Sequence, residues 1–330
     1  MKYPIQIIKH NFIWTAFGLL LFSFAMGLSG CASDSKTPET DEPDTGTATE
    51  ADSDAPLRDN TPNVLVPEAS GTAVYGNDLV SIDGSHLDAG YVMMQYNGTN
   101  EKVKLQIQTP EETTYTYLVS SRGTYDVYPL SGGNGAYTLT LLESADVTQD
   151  LYSIAFTQNL DVQIGDEFTP FLYPNVYSNF TSDSACVKKG SDLAADCHND
   201  LEVITSIYDY VTDNISYDDD KAANVSYGYI PDPDETMANG TGICFDYASL
   251  MTAMLRSQQI PTRLDVGYAG ELYHAWISCY VKEIGWVNDI IHFDGKNWSL
   301  MDPTYAANHS SSSVKKYIGD GSNYVVKYTY

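Results

Sequence analysis

The sequence predicts an α+β fold built from two regions of different kinds. In the first half, polar and apolar residues alternate in short runs, as in residues 102–108 (KVKLQIQ), and this alternation is the mark of strands with one buried face. In the second half, residues 240–255 form a glycine turn and then a helix with almost no polar face, which belongs inside a domain. A chain of 330 residues has room for about two such domains.

The charge balance excludes one class of partner. The chain has 17 Lys and Arg against 44 Asp and Glu, for a net charge of −27. Nucleic-acid phosphates require clustered positive charge, so nucleic acid is excluded as a partner. The same charge disfavours contact between the protein surface and an anionic membrane.

The N-terminus has the layout of an export signal, with Lys2, Lys9 and His10 ahead of an apolar run at residues 12–28. The run ends in Leu-Ser-Gly-Cys, which resembles the lipobox of bacterial lipoproteins. That resemblance implies removal of the signal and lipid attachment to Cys31, so that residues 1–31 predict a membrane-anchored, extracytoplasmic bacterial lipoprotein. An uncleaved anchor or an ordinary signal peptide is the alternative.

Three further segments precede the apolar helix. Residues 32–62 are acidic and polar with few apolar side chains, which predicts a disordered, extended tether. Residues 63–165 contain several short alternating runs separated by turn clusters, which predicts a β-sandwich-like domain. Residues 166–198 are aromatic and punctuated by proline at their start, and we interpret them as a packed connector.

The last segment, residues 199–330, begins with an amphipathic helix over residues 200–215, for which Asn199 or Asp200 is the expected N-cap. The apolar helix after Gly240 and Gly242 has Cys244 in its first turn. A helix N-terminus lowers the pKa of a thiol and favours the nucleophilic thiolate. A lone cysteine on such a helix is more often structural, so further residues are needed to support a catalytic interpretation.

Two later residues supply that support. A cysteine nucleophile needs a histidine to take its proton, and the histidine needs a third group to fix its tautomer. His274 lies at the start of a strand-like run (YHAW), and Asp302 follows another (WSLMDPT). We therefore predict Cys244 as nucleophile, His274 as general base and acid, and Asp302 as the residue that orients His274 across neighbouring antiparallel strands.

Five fragments in this order resemble the transglutaminase-like superfamily: GICFDYA, MLRSQQIPTR, GYA, YHAW and WSLMDPT. The resemblance covers roughly residues 200–305. It implies a papain-like core, in which a central helix packs on an antiparallel sheet, and a Cys-His-Asp site that forms an acyl-enzyme. It implies nothing direct about the first half of the chain.

The sequence departs from the family in two places. Transglutaminases can use a tryptophan upstream of the nucleophile as a second oxyanion donor, but this chain has no Trp between Trp14 and Trp276. Tyr227, Tyr229 or Asn239 are the candidates beside the backbone N–H of Cys244. Gln259 stands where similar sequences usually have Gly, and a left-handed backbone there would cost about 0.5–1 kcal/mol.

The other cysteines and acids predict no cofactor and no metal site. Cys186 and Cys197 are close enough in sequence for a disulfide, which is possible but not required. Alternation along the strand after His274 places Cys279 on the opposite face, as a buried apolar side chain. The acidic runs at residues 218–220 and 231–234 lack the spacing of a calcium loop. His292 and His309 match none of the family fragments.

Three functions remain open. The favoured one is a cell-surface cysteine hydrolase that acts on protein, peptide or cell-wall amide bonds through a thioester. The alternatives are an acyltransferase that crosslinks proteins through amines and a non-catalytic adhesion or scaffold protein. The sequence leaves open the substrate, the oligomeric state and whether the host has one membrane or two.

Overall fold

The computed structural model describes residues 56–146, 148–282, 285–287, 291–293, 298–300 and 324–330. Residues 53–330 form one compact unit. Within the described residues, strands fill the chain up to residue 162 and α-helices begin at residue 185, followed by further strands. The α+β fold class predicted from the sequence is confirmed.

The first region contains two four-stranded antiparallel sheets among the described residues. One has the order β1-β2-β3-β6 and the other the order β5-β4-β7-β8. Val103, Leu105 and Ile107 of β4 are buried, so the alternation in the sequence corresponds to one face turned to the core. The bounds are β1 Val74–Gly76, β2 Val80–Asp83, β3 Tyr91–Tyr96, β4 Val103–Gln108, β5 Thr114–Leu118, β6 Tyr125–Pro129, β7 Gly135–Asp146 and β8 Leu151–Val162.

The helical region contains α1 Ala185–Ala194, α2 Asp200–Asn214, α3 Asp219–Asn224, α4 Pro233–Asn239 and α5 Cys244–Ser257. The side chain of Asn199 accepts a hydrogen bond from the N–H of Glu202, which confirms Asn199 as the N-cap of α2. In α5, every residue after Phe245 is buried, as the nearly uniform apolar pattern predicts. Gly190 of α1 lets α1 and α5 approach closely, because a Cβ at this position would lie 3.3 Å from Met254 of α5.

A third sheet packs beside α5 and has the order β13-β12-β11-β16. Its strands are β11 Thr262–Ala269, β12 Leu272–Val281, β13 Gly285–Val287 and β16 Tyr324–Thr329. β11 and β12 form a hairpin in which Gly267 lies opposite His274 and Thr262 lies opposite Cys279. Two short pairs also lie in the described residues: β9 Ser216–Tyr217 with β10 Thr241–Gly242, and β14 Ile291–Phe293 with β15 Trp298–Leu300.

The two regions share one hydrophobic core. Buried apolar side chains of the sandwich and of the helical region belong to a single contiguous cluster. Tyr177 and Tyr330 join the two parts, since the ring of Tyr330 lies 5.9 Å from that of Tyr117 and Tyr177 lies 5.1 Å from Phe245. The β region is therefore packed against the helical region, and the exact domain boundaries stay a prediction.

The end of the predicted tether differs from expectation. Residues 58–63 are bound to the helical region and do not extend away from it. Arg58 Nε lies 2.6 Å from a carboxylate oxygen of Asp200, the amide of Asn60 donates to the Ser191 carbonyl oxygen, and the N–H of Asn63 donates to the Ser257 carbonyl oxygen. Composition alone missed this segment because two of its polar side chains, Arg58 and Asn60, find specific partners 130 or more residues away. The export signal and Cys31 lie outside the described residues, and none of the described helices is long and apolar enough to cross a membrane.

Gln259 has the left-handed backbone that its place in the sequence indicates, with φ of +59°. Its side chain is exposed, and the strain of this conformation is absent for glycine. We expect Gln259→Gly to raise the free energy of unfolding by about 0.5–1 kcal/mol in urea denaturation. Gln258→Gly is the matched control, because Gln258 has φ of −92° and donates to the Asn60 carbonyl oxygen, so that change should destabilise. Loss of stability in Gln259→Gly would contradict the prediction.

Candidate active site

Cys244 is the first residue of α5 and a half-buried free thiol. The preceding residue, Ile243, is the N-cap and has extended backbone geometry. The remainder of α5 is buried, so the helix is fixed and its positive N-terminal end presents the thiol. Cys244 thus lies in the first turn of the apolar helix, as the sequence predicted.

A tight loop connects the end of α4 to Cys244. Gly240 ends α4 in the left-handed conformation, with φ of +63°, and its N–H donates to the Thr236 carbonyl oxygen. The next two residues pair with β9, where the N–H of Asp218 donates to the Gly242 carbonyl oxygen at 3.0 Å. Gly242 is packed tightly against the following helix, because a Cβ there would lie 2.7 Å from Cβ of Asp246. Both glycines of the sequence motif are therefore required by geometry.

Asp246 closes the first turn of α5 and was not singled out by the sequence analysis. It is fully buried, and its Oδ2 accepts a hydrogen bond from the N–H of Ile243 at 2.8 Å. An acidic residue at the third helical position that binds the N-cap N–H is half of a capping box. The spacing of Asp246 three residues after Ile243 is the signal that would have found it.

His274 lies in β12, next to the hairpin turn, and is partly exposed. Its ring centroid is 6.3 Å from that of Trp276, with which it shares a face of the strand. Ala275, Ile277 and Cys279 occupy the other face and belong to the core cluster that includes α5. Cys279 is thus buried on the face opposite His274, as predicted.

Tyr273 links this strand end to Cys244. Burial and neighbouring tyrosines raise the pKa of Tyr273 to about 12, and the nearby Cys244 adds to the shift. Its ring packs edge-to-face on Tyr268, with centroids 5.6 Å apart. α5 also packs against β12 as a whole. The helix that begins at Cys244 and the strand that carries His274 are thus packed neighbours, while the pairing of the two side chains stays a prediction.

The third predicted residue, Asp302, lies outside the described residues, as does His309. The strand that precedes Asp302 differs from expectation: β15 pairs with β14, in which His292 lies opposite Ser299, while β12 pairs with β11 and β13. Face alternation in the sequence predicts a place for this strand beside β12. Alternation fixes which residues share a face but leaves the neighbouring strand undetermined.

The candidates for a second oxyanion donor are placed differently. Tyr229 is engaged, since its hydroxyl donates to Oδ1 of Asp246 at 2.6 Å. Tyr227 is 72% exposed and lies close enough to Tyr273 to raise the pKa of that residue. Asn239 is exposed at the end of α4. Tyr229 is thus the candidate that contacts the first turn of α5, through Asp246, while Tyr227 and Asn239 have exposed side chains.

The other described cysteines are free, like Cys244, but they are buried whereas Cys244 is partly exposed. Cys186 and Cys197 do not form the disulfide that their spacing permitted. Burial raises the pKa of Cys186 and of Cys197, and it raises that of Cys279 to about 12. Among the described cysteines, only Cys244 combines partial exposure with a helix N-terminus.

The acidic loops before Cys244 cap helices. Asp218 accepts from the N–H of Lys221 at the start of α3, and Asp232 accepts from the N–H of Glu235 at the start of α4. Within the ranges that the structure describes, no group of three or more His, Cys, Asp or Glu side chains is arranged to hold a metal ion.

Residues 188–289 match the family model of the transglutaminase-like superfamily. The match includes Cys244 and His274 and ends before Asp302. No curated protein matches the chain. Two similar solved structures are a "putative cysteine protease" from Cytophaga hutchinsonii (16% identity, TM-score 0.33, 65% of this chain and 78% of that one) and a "putative protease" from Parabacteroides distasonis (10% identity, TM-score 0.27, 64% of each chain).

Proposed function

We propose that this chain, whose residues 188–289 are transglutaminase-like, is a cysteine-dependent acyl-transfer enzyme that hydrolyses peptide or amide bonds. One observation carries the proposal: Cys244, the partly exposed thiol among the described cysteines, is the first residue of a buried helix that packs against β12, the strand of His274. A buried structural cysteine would need neither this exposure nor this position.

The chemistry would proceed in two halves. The Cys244 thiolate attacks the carbonyl carbon, a C–S bond forms and the carbonyl electron pair moves to oxygen, where the Cys244 N–H can donate. The intermediate collapses, the C–N bond breaks, and the amine leaves with a proton from the His274 imidazolium. Neutral His274 then takes a proton from a water molecule as the water oxygen forms a bond to the thioester carbon. The C–S bond breaks, the carboxylic acid is released, and the Cys244 thiolate and the His274 imidazolium are restored. Asp302 would orient His274 throughout.

The test is the rate of iodoacetamide labelling at Cys244 near pH 6, on residues 32–330, which contain the whole compact unit. An ordinary thiol is under about 1% thiolate at this pH. We expect fast labelling at Cys244 and a loss on the order of 100-fold in His274→Ala. Cys186, Cys197 and Cys279 serve as internal controls, since all three are buried. Labelling of Cys244 no faster than a model thiol in the folded protein would contradict the proposal and favour a non-catalytic surface protein.

The acyl acceptor distinguishes hydrolysis from crosslinking. Because the two reactions share the thioester, only the second half separates them. Release of new termini or ammonia without incorporation of a labelled primary amine supports hydrolysis. Incorporation of the amine into a Gln-containing protein, lost in Cys244→Ala, would assign amine transfer instead.

We also propose that the protein acts outside the cytoplasm, held to a membrane by lipid on Cys31. The lipobox-like sequence supports this, and the acidic residues after it would hold the compact unit away from the membrane. Incorporation of a labelled palmitate analogue, lost in Cys31→Ser, tests it. Unlabelled, soluble protein would contradict it.

A further inference from the structure

The buried carboxylate of Asp246 is two residues after Cys244 and has no solvent contact. A carboxylate in such a place is costly unless it is paired and hydrogen-bonded. One oxygen, Oδ2, accepts from the N–H of Ile243 at 2.8 Å and from Nζ of Lys221 at 2.7 Å. The other, Oδ1, accepts from the hydroxyl of Tyr229 at 2.6 Å. The carboxylate is therefore fully satisfied by three donors from three parts of the chain.

The two side-chain donors also bind each other. Nζ of Lys221 lies 2.7 Å from the hydroxyl of Tyr229 and 4.4 Å from its ring centroid. Burial alone would lower the pKa of Lys221, but its hydrogen bonds to Asp246 and Tyr229 reverse the effect and raise that pKa. Burial and the contact with Asp246 raise the pKa of Tyr229 to about 12. At neutral pH the cluster thus holds one ammonium and a neutral phenol against Asp246.

The cluster is anchored to the loop that carries Cys244. Lys221 belongs to α3, whose N-cap Asp218 donates its backbone N–H to Gly242. Gly242 in turn is packed against Asp246. The short segment 218–229 is thus tied to both sides of Cys244, to the loop before it and to the helix turn after it.

We propose that Lys221 and Tyr229 are positioning residues that hold Asp246, so that Cys244 keeps its place at the helix N-terminus and its thiolate meets no unpaired negative charge. This inference rests on the proposed function of Cys244 as a nucleophile. Other titratable groups near this helix turn are Tyr273 from β12, Tyr227 from the loop before α4, Tyr177 from the connector and Tyr217 from β9. Within the described ion pairs, Lys221 supplies the positive charge at Asp246.

The test is the pH dependence of iodoacetamide labelling at Cys244 in the protein used above. Lys221→Met leaves the Asp246 carboxylate without its counter-charge, and we expect the labelling midpoint to rise by roughly one pH unit, with about tenfold slower labelling at pH 6. Tyr229→Phe should move the midpoint in the same direction by less. Lys221→Arg keeps the charge and should rescue the profile.

A double variant separates charge from structure. Lys221→Met with Asp246→Asn removes both charges, so the midpoint should return close to that of the unaltered protein. The matched control is Lys188→Met, because Lys188 forms an ion pair of the same 2.7 Å length with Asp192, but on an exposed face of α1. That change should leave the midpoint unchanged. If Lys221→Met does not fold, the labelling midpoints of Tyr229→Phe and of the double variant are compared with that of the unaltered protein.

The outcomes separate this inference from the function on which it rests. A midpoint of the unaltered protein at an ordinary thiol value would contradict the proposed function, whatever the variants do. A low midpoint that stays unchanged in Lys221→Met and Tyr229→Phe, even with reduced thermal stability, would show a merely structural cluster and overturn the positioning role alone. A midpoint in the double variant as high as in Lys221→Met would also overturn it.

Discussion

Raising the pH above 10 is expected to unfold the protein cooperatively, because folding keeps many phenols neutral. Burial is the main cause that raises the pKa of five buried tyrosines above their ordinary value of about 10: Tyr117, Tyr128, Tyr137, Tyr247 and Tyr330. Since the folded-state pKa lies above that of the unfolded chain, the stabilisation is complete below pH 10 and is lost as the pH rises toward the folded-state values.

The size of this effect is comparable to the whole stability of a protein. Each such tyrosine removes about 1 kcal/mol between pH 10 and 11, because the unfolded-state phenol is half ionised at pH 10, so five together remove about 5 kcal/mol over that interval. Folded proteins have about 5–15 kcal/mol in total. We expect phenolate absorbance and far-UV circular dichroism to change in one shared transition.

Single substitutions test whether the burial of phenols causes the unfolding at high pH. The hydroxyl of Tyr128 is buried without a hydrogen-bond partner in the described structure, so Tyr128→Phe should fold and should unfold at higher pH. Tyr227→Phe, at a side chain 72% exposed, is the control and should leave the midpoint in place. Phenols that titrate near pH 10 while the far-UV signal stays native would contradict burial as the cause.

Replacement of Arg256 by Met is expected to lower the free energy of unfolding by about 3–5 kcal/mol. Its guanidinium is 1% exposed and donates to three carbonyl oxygens, those of Thr262, Tyr173 and Tyr330. Burial lowers its pKa to about 9. The variant would leave buried carbonyl groups without donors and would disconnect α5 from β11 and from the connector.

Arg122 is the matched control for that measurement. It also donates to carbonyl oxygens, those of Val119, Ser121 and Asn100, but its side chain is exposed. Water can replace its hydrogen bonds, so Arg122→Met should cost under about 1 kcal/mol. Urea denaturation of both variants gives the comparison. Equal losses would contradict the role of burial at Arg256.

The sequence by itself determined the elements whose signals are local. The N-cap of α2 at Asn199 or Asp200, the buried helix from Cys244 and the face on which Cys279 lies were predictable. Each depends on side-chain periodicity or on hydrogen bonds within about four residues, and such relations are visible along a single chain. The family match at residues 188–289 likewise follows from local motifs.

The tertiary structure decided what depends on contacts between distant segments. Lys221 and Asp246 are 25 residues apart, and Arg58 and Asp200 are 142 apart, so no periodicity relates them. The pairing of β15 with β14 also depends on the fold, as does the single core shared by the β region and the helical region. A buried charge is costly without a partner of opposite charge, and the packing of whole helices and strands brings that partner close to it. The sequence therefore identified Cys244, and only the fold revealed the cluster that holds its helix turn in place.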